Sequence, residues 1–222
     1  MKTIVLNHKM NLNYSDVDEY IKRINKINKS LIIAPSNIYL IEFLKKCHHQ
    51  IASQDVCYIE EGNYTGKVSW SQIKSLGVKY SLIGHSEKKD NLEKINSKLK
   101  DCLENDITPI LCISNFTKEE DIIDSLKQIK LLNDKIIYAY EPIFNIGSKH
   151  IDNNYIEEQI KKIHTYLTQV VNIKPTIIYG GGINKENINT IYHIKLLDGI
   201  LIGGASSNIS EVEELLKKID EK

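Results

Sequence analysis

The stretch "KIIYAYE", residues 135–141, decides the fold. Between Ile136 and Tyr140 every side chain is apolar or aromatic, so both faces of an extended chain would be apolar. Strands of this kind are typical of parallel sheets that are covered on both faces. A single carboxylate, Glu141, follows the run directly and precedes Pro142. The predicted buried strand therefore ends on a charge.

Similar short apolar runs recur along the whole chain and alternate with helical patterns. The eight runs are "TIVL", "LIIA", "QIAS", "YSLI", "PILCI", "KIIYAY", "TIIYG" and "GILIGG", which begin near residues 3, 31, 50, 80, 109, 135, 176 and 199. Between them, apolar residues recur at helical spacing, as in Val17, Tyr20, Ile21, Ile24 and Ile27, or in Ile156, Ile160, Ile163 and Leu167. The segments Thr117–Glu120 and Ser210–Glu213 have capping-box spacing and predict helix starts.

These patterns predict eight βα units in an α/β protein. Right-handed βαβ crossovers place the helices outside the sheet, so eight units in one domain, residues 1–222, favour a closed (β/α)8 barrel. An open, doubly wound sheet is the alternative, because the third run, "QIAS", is weak.

Composition excludes several function classes. The 29 basic and 29 acidic residues give a formal net charge of +0, so the sequence predicts no binding to nucleic acid or to anionic membranes. No apolar stretch approaches the about 18 residues of a membrane span. The cysteines are far apart in sequence, which predicts reduced thiols, no metal site and a cytoplasmic protein (Cys47, Cys57, Cys102 and Cys112).

In a barrel, chemistry is expected at the carboxyl ends of the strands, where the βα loops vary freely. Asn7 and Lys9 follow the first run, Gln54 the third, His85 the fourth and Glu141 the sixth. Each has an ordinary explanation as a cap or a solvated charge. Their shared placement after strands favours a common site.

Two glycine clusters, Gly180–Gly182 and Gly203–Gly204, follow the seventh and eighth runs. Such turns most often serve backbone geometry, and phosphate binding is their less common use. Two of them at one rim, beside a base and a cation, favour a site for a phosphorylated substrate.

Six segments, taken in order, resemble the signatures of the triosephosphate isomerase family. They are "NHKMN" (7–11), "YTGK" (64–67), "SLIGHSEKK" (81–89), "AYEPIFNIGS" (139–148), "IIYGGGI" (177–183) and "DGILIGGAS" (198–206). The resemblance covers essentially the whole chain, and "IGHSE" with "AYEP" is its most specific part. It implies the TIM-barrel fold and the interconversion of glyceraldehyde 3-phosphate and dihydroxyacetone phosphate, with no metal or organic cofactor.

The resemblance also implies catalytic roles. Glu141 corresponds to the general base that moves a proton between adjacent carbons through an enediolate. His85, neutral at the start of a helix, corresponds to the group that donates a hydrogen bond to the substrate oxygens. Lys9 supplies a cation and Asn7 a further hydrogen bond.

Phosphate binding and assembly are implied in the same way. Backbone N–H groups would bind the phosphate at four glycines, Gly147, Gly182, Gly203 and Gly204. Residues 142–148 correspond to a lid that excludes water. Residues 60–70 correspond to a loop that enters a neighbouring subunit, where Thr65 would meet Asn7, which implies a homodimer.

The sequence departs from the family's usual pattern at several positions. His8 and Phe144 occur where tryptophan is usual, and Lys149 where glycine is usual. Gly182 replaces a serine that helps bind phosphate. Asn115, in "CISN", replaces a glutamate, although shorter archaeal members also carry asparagine there.

Two other functions fit the same residues. An isomerase of a tetrulose phosphate would keep the catalytic set and differ in the shape of the lid. A barrel that binds a phosphate compound without turnover would need the glycines but not the base. The presence of Asn7, Lys9, His85 and Glu141 together favours an enzyme.

Overall fold

Eight parallel strands form a closed barrel in a computed structural model that describes residues 2–115, 117, 120–145 and 152–221. In chain order the strands are β1 (Thr3–Asn7), β2 (Leu31–Ala34), β3 (Gln50–Ser53), β4 (Tyr80–Ile83), β5 (Thr108–Ile113), β6 (Ile137–Tyr140), β7 (Thr176–Tyr179) and β8 (Gly199–Ile202). β1 pairs with β8, with Ile4 opposite Ile200, which closes the sheet. The predicted barrel is confirmed, and the open sheet is wrong.

The strands separate two apolar layers. Small and branched side chains fill the inside of the barrel, for example Val5, Ala52 and Ala139. The residues that alternate with them, such as Tyr138 and Tyr140 of β6, pack outward against the helices. Both faces of "KIIYAY" are therefore buried, which is why its apolar pattern has no polar alternation.

Eight α-helices surround the barrel. They are α1 (Tyr14–Ile24), α2 (Leu40–Lys46), α3 (Trp70–Ser75), α4 (Leu92–Glu104), α5 (Ile122–Lys127), α6 (Asn153–Thr165), α7 (Ile188–Tyr192) and α8 (Ile209–Asp220), as far as the described residues extend. The predicted faces are buried at Val17, Tyr20, Ile21 and Ile24 and at Ile156, Ile160, Ile163 and Leu167. Among the helices of the described ranges, none combines the length and the apolar character that crossing a membrane requires.

The predicted cap of α8, Ser210, is wrong, and the predicted start at Thr117–Glu120 lies partly outside the described residues. The side chain of Asn208 accepts hydrogen bonds from the N–H groups of Ser210 and Glu211, so the N-cap of α8 lies two residues before the predicted one. Asp121 accepts from the N–H of Ile123 and caps α5. In both helices a short polar side chain just before the first turn accepts hydrogen bonds from its free N–H groups.

Candidate active site

Glu141 stands at the carboxyl end of β6 and is 2% exposed. Its backbone N–H continues the sheet by donating to the carbonyl oxygen of Ile113 in β5, at 2.9 Å. Beside it, the backbone of Gly180 comes so close that a Cβ atom there would lie 2.7 Å from Cγ of Glu141. The glutamate side chain thus occupies space that only a glycine leaves open.

Burial raises the pKa of the Glu141 carboxyl group, because a charged carboxylate loses its hydration inside the protein. His85, the Cys112 thiol and Lys9 oppose this shift. One carboxylate oxygen, Oε1, has no hydrogen-bond partner among the described residues. A buried carboxylate with a raised pKa and a free oxygen is suited to accept a proton.

His85 faces this carboxylate from the next loop but one. It caps the short 3-10 helix Ser86–Lys88, where its Nδ1 accepts a hydrogen bond from the N–H of Glu87 at 3.3 Å. In the neutral ring the proton must then be on Nε2, an assignment that rests on this hydrogen-bond pattern. Nε2 lies 3.4 Å from Oε2 of Glu141. A hydrogen-bond donor therefore adjoins the carboxylate.

Lys9 is held in an uncommon backbone conformation. Its φ is 53°, in the left-handed region. The side chain of Asn7 accepts from its N–H at 3.1 Å, and Gln54 donates to its carbonyl oxygen at 2.8 Å. Its ammonium group forms an ion pair with Glu87 at 2.5 Å. The loops after β1, β3 and β4 are thereby tied together around one cation.

Three of the four predicted phosphate-binding glycines lie on the loops after β7 and β8, which are neighbouring strands. Gly182 has a φ of 54°, which favours glycine, and Gly204 begins the 3-10 helix Gly204–Ser207. A Cβ atom at Gly203 would lie 3.4 Å from Cε of Lys9, so this turn adjoins the cation. Gly147 is outside the described residues.

The rim thus brings together Asn7, Lys9, His85 and Glu141, while Thr65 lies apart on an exposed loop. Glu87 was not predicted as the partner of Lys9, although its place two residues after His85 is a usable signal. Cys112 was not predicted either, although its inward position on β5 follows from strand alternation.

The structure shows the contacts of two residues that depart from the usual pattern, His8 and Phe144. His8 is 1% exposed, and its ring packs edge-on against Tyr20 and Phe43 at centroid distances of 4.6 and 5.5 Å. Burial lowers the pKa of His8 to about 3. Phe144 makes an edge contact with Tyr155. Lys149 is outside the described residues.

Comparison with protein families matches residues 2–219 to the family described as triosephosphate isomerase. Curated relatives agree. The chain is 31% identical to "Triosephosphate isomerase" of Mesomycoplasma hyorhinis, with 97% of this chain and 98% of that protein covered. It is 33% identical to the protein of the same name from Orientia tsutsugamushi strain Boryong, with 97% of each covered. It is 32% identical to that of Mycoplasma mobile, with 97% and 99% covered.

Proposed function

This chain belongs to the triosephosphate isomerase family and is a triose-phosphate isomerase, and we propose that Glu141 is its general base. The reaction interconverts D-glyceraldehyde 3-phosphate and dihydroxyacetone phosphate, a step of glycolysis and gluconeogenesis. The observation that supports the assignment is the buried Glu141 carboxylate, whose Oε2 lies 3.4 Å from Nε2 of His85. A tetrulose phosphate isomerase and a barrel without turnover are not favoured, because the relatives reported above share one name.

Glu141 removes the proton from the carbon beside the carbonyl group and returns it to the adjacent carbon. Its burial, which raises its pKa, makes it a stronger base than an exposed glutamate. The enediolate between these two steps carries negative charge on its oxygens. Nε2–H of His85 donates a hydrogen bond to those oxygens, and the Lys9 ammonium group and the Asn7 amide stabilise the charge further.

The phosphate group binds at the neighbouring turns. Backbone N–H groups of Gly182, Gly203 and Gly204 supply donors, and Gly147 supplies another by family resemblance. The proximity of Gly203 to Lys9 supports this arrangement, since both groups would then act on one dianionic substrate. The chemistry requires no metal or organic cofactor.

The functional unit is a homodimer. Three large apolar side chains on the loops after β1, β2 and β3 are strongly exposed, which supports a covered surface there: Met10 at 90%, Ile38 at 77% and Tyr64 at 52%. Thr65, next to Tyr64, would contact Asn7 of the second copy. All four cysteines are free thiols, which supports a cytoplasmic location.

The substitution Glu141→Gln tests the base. It keeps the shape of the side chain and removes its proton affinity, so kcat should fall by about 10²- to 10⁴-fold. A coupled assay with glyceraldehyde 3-phosphate measures this, with an erythrulose phosphate run beside it as the competing substrate class. Glu104→Gln, at an exposed carboxylate of α4, is the matched control and should keep full activity. A Glu141→Gln protein with normal turnover would show that Glu141 has only a structural role.

A further inference from the structure

The turn that follows Glu141 is anchored on both sides. On one side, the N–H of Ile143 donates to the carbonyl oxygen of Asn115, after β5, at 3.0 Å. On the other, the side-chain amide of Asn145 donates to the hydroxyl group of Tyr179, at the end of β7, at 3.1 Å. Asn145 is 6% exposed and Tyr179 is fully buried. The turn is thus attached to the strands on either side of β6.

These anchors matter because the Glu141 carboxylate is weakly held by its own contacts. Oε1 has no partner within the described part of the chain. Oε2 lies 3.4 Å from His85, and the remaining contact is with the Cys112 thiol, a weak donor. The position of the carboxylate therefore depends on the backbone that precedes and follows Glu141.

The hydroxyl group of Tyr179 reaches Asn145 only because the chain leaves room for it. A Cβ atom at Gly181 would lie 2.5 Å from that oxygen and 3.2 Å from Cδ of Pro142. Any side chain at Gly181 would displace either the phenol or the turn. The approach of Tyr179 to the turn thus accounts for the lack of a side chain at Gly181.

We propose that the hydrogen bond between Asn145 and Tyr179 positions Glu141 for proton transfer. The pair does not touch substrate; it fixes the turn of residues 142–145 and, through it, the direction of the carboxylate. This inference rests on the proposed role of Glu141 as the base.

Asn115 forms the second anchor, and its amide suits the place better than a carboxylate. Its Oδ1 accepts from the hydroxyl group of Tyr140 at 3.1 Å. Its Nδ2 donates to the carbonyl oxygen of Thr117 at 2.9 Å and to Tyr155 at 3.1 Å. A carboxylate is an acceptor only and would face the Thr117 carbonyl without a proton. Asn115 is 1% exposed, and its bond with Tyr140 is buried, whereas those with Thr117 and Tyr155 are part-buried.

A double-mutant cycle on Asn145→Ala and Tyr179→Phe tests the proposal. Each variant removes the same hydrogen bond from one side, and kcat should fall by about 10- to 100-fold, as expected for a base displaced by a fraction of an ångström to 1 Å. KM should stay close to that of the wild type, because the phosphate contacts are untouched. The double variant should be no slower than the slower single variant.

Tyr138→Phe is the matched control. Tyr138 is a fully buried tyrosine of β6, and its hydroxyl group bonds with the backbone of Asn133 at 2.9 and 3.1 Å. Its removal costs two part-buried hydrogen bonds of a tyrosine hydroxyl group away from the rim. It should lower the melting temperature without lowering kcat.

The pH profile of kcat/KM separates positioning from loss of stability. Its acid limb reports the pKa of the essential base in the free enzyme. Burial raises the pKa of Glu141 and Glu87 adds to this, while His85, Cys112 and Lys9 lower it. If the turn loosens and water reaches the carboxylate, the acid limb should move to lower pH in Asn145→Ala and Tyr179→Phe. Tyr138→Phe should keep the profile of the wild type.

Unchanged kcat in both single variants, multiplying losses in the double variant, or an equal loss of kcat in Tyr138→Phe would each overturn the proposal. Should Asn145→Ala fail to fold, Tyr179→Phe, which loses a single oxygen atom, decides the question by kcat and pH profile. Normal turnover in Glu141→Gln would overturn the proposal that Glu141 is the base. An inactive Glu141→Gln with a fully active Asn145→Ala would overturn only the positioning role.

Discussion

Replacing Gly180 by alanine would test how closely Glu141 fits the rim of the barrel. A Cβ atom at Gly180 would lie 2.7 Å from Cγ and 3.2 Å from Cδ of Glu141. Leu201 stands on another side, with its Cβ at 3.3 Å, so the new methyl group cannot simply move away. Ordinary contact between carbon atoms begins near 3.4 Å, so the glutamate must retreat by the difference of about 0.7 Å.

A displacement of this size should lower kcat by about 10²-fold, since a misplacement of about 1 Å has that effect on a catalytic group. The backbone should tolerate the change, because Gly180 lies outside the left-handed region and alanine restricts the unfolded chain. We therefore expect a folded protein with a melting temperature close to that of the wild type and a similar KM.

The assay is steady-state turnover of glyceraldehyde 3-phosphate by Gly180→Ala, Glu141→Gln and the double variant. If alanine acts through the carboxylate, it should cost nothing further once that carboxylate has become an amide. The reasoning is refuted if Gly180→Ala keeps the kcat of the wild type. It is equally refuted if alanine lowers kcat by the same factor in the Glu141→Gln background.

The remaining predictions concern the cation, the assembly and a buried imidazole. Lys9→Met should lower kcat and raise KM, because the ammonium group acts on both the enediolate and the phosphate-bearing substrate. An unchanged kcat/KM in the same assay would show that Lys9 has no role in the site. Thr65→Arg should yield monomers with lower specific activity, since a charge would be buried against the partner's surface. Light scattering and kinetics on the same samples measure the oligomeric state and the activity together. A fully active monomer would contradict this prediction. The folded-state pKa of His8 is about 3, below its ordinary 6.5, so the unfolded chain binds the proton more readily and stability falls as the pH drops below 6.5. Between pH 7 and pH 5 this costs about 2 kcal/mol, and His8→Phe should flatten the dependence of the melting temperature on pH; parallel curves for the two proteins would show that another group is responsible.

The sequence predicted the strands well because the signal is local. Each run is apolar along its length, and even the weak "QIAS" is β3, with Ile51 and Ala52 buried. The helix caps were predicted less well, because several short polar residues precede α8 and only the folded backbone selects Asn208. Local pattern therefore identifies elements more reliably than it identifies their ends.

In the candidate site, too, some features were predictable from the sequence and others were not. Lys9, His85 and Glu141 were predicted as site residues from their place after strands, which follows from chain order in a barrel. The ion pair between Lys9 and Glu87 joins loops 78 residues apart, and no sequence pattern specifies that distance. Gly180 was predicted only as part of a glycine cluster, whereas the structure shows that the Glu141 side chain requires its lack of a Cβ atom. Contacts between loops need the three-dimensional structure.

The strength and the position of the proposed base, Glu141, have a common origin in burial. Removing Glu141 from water raises its pKa and so improves it as a proton acceptor. The same burial separates the carboxylate from bulk solvent, and among the described residues its Oε1 has no hydrogen-bond donor; a strong donor there would lower the pKa again. Position must then come from steric fit and from the backbone, which is what Gly180 and the bond between Asn145 and Tyr179 provide. A base held by packing keeps its proton affinity, whereas a base held by hydrogen bonds would lose part of it.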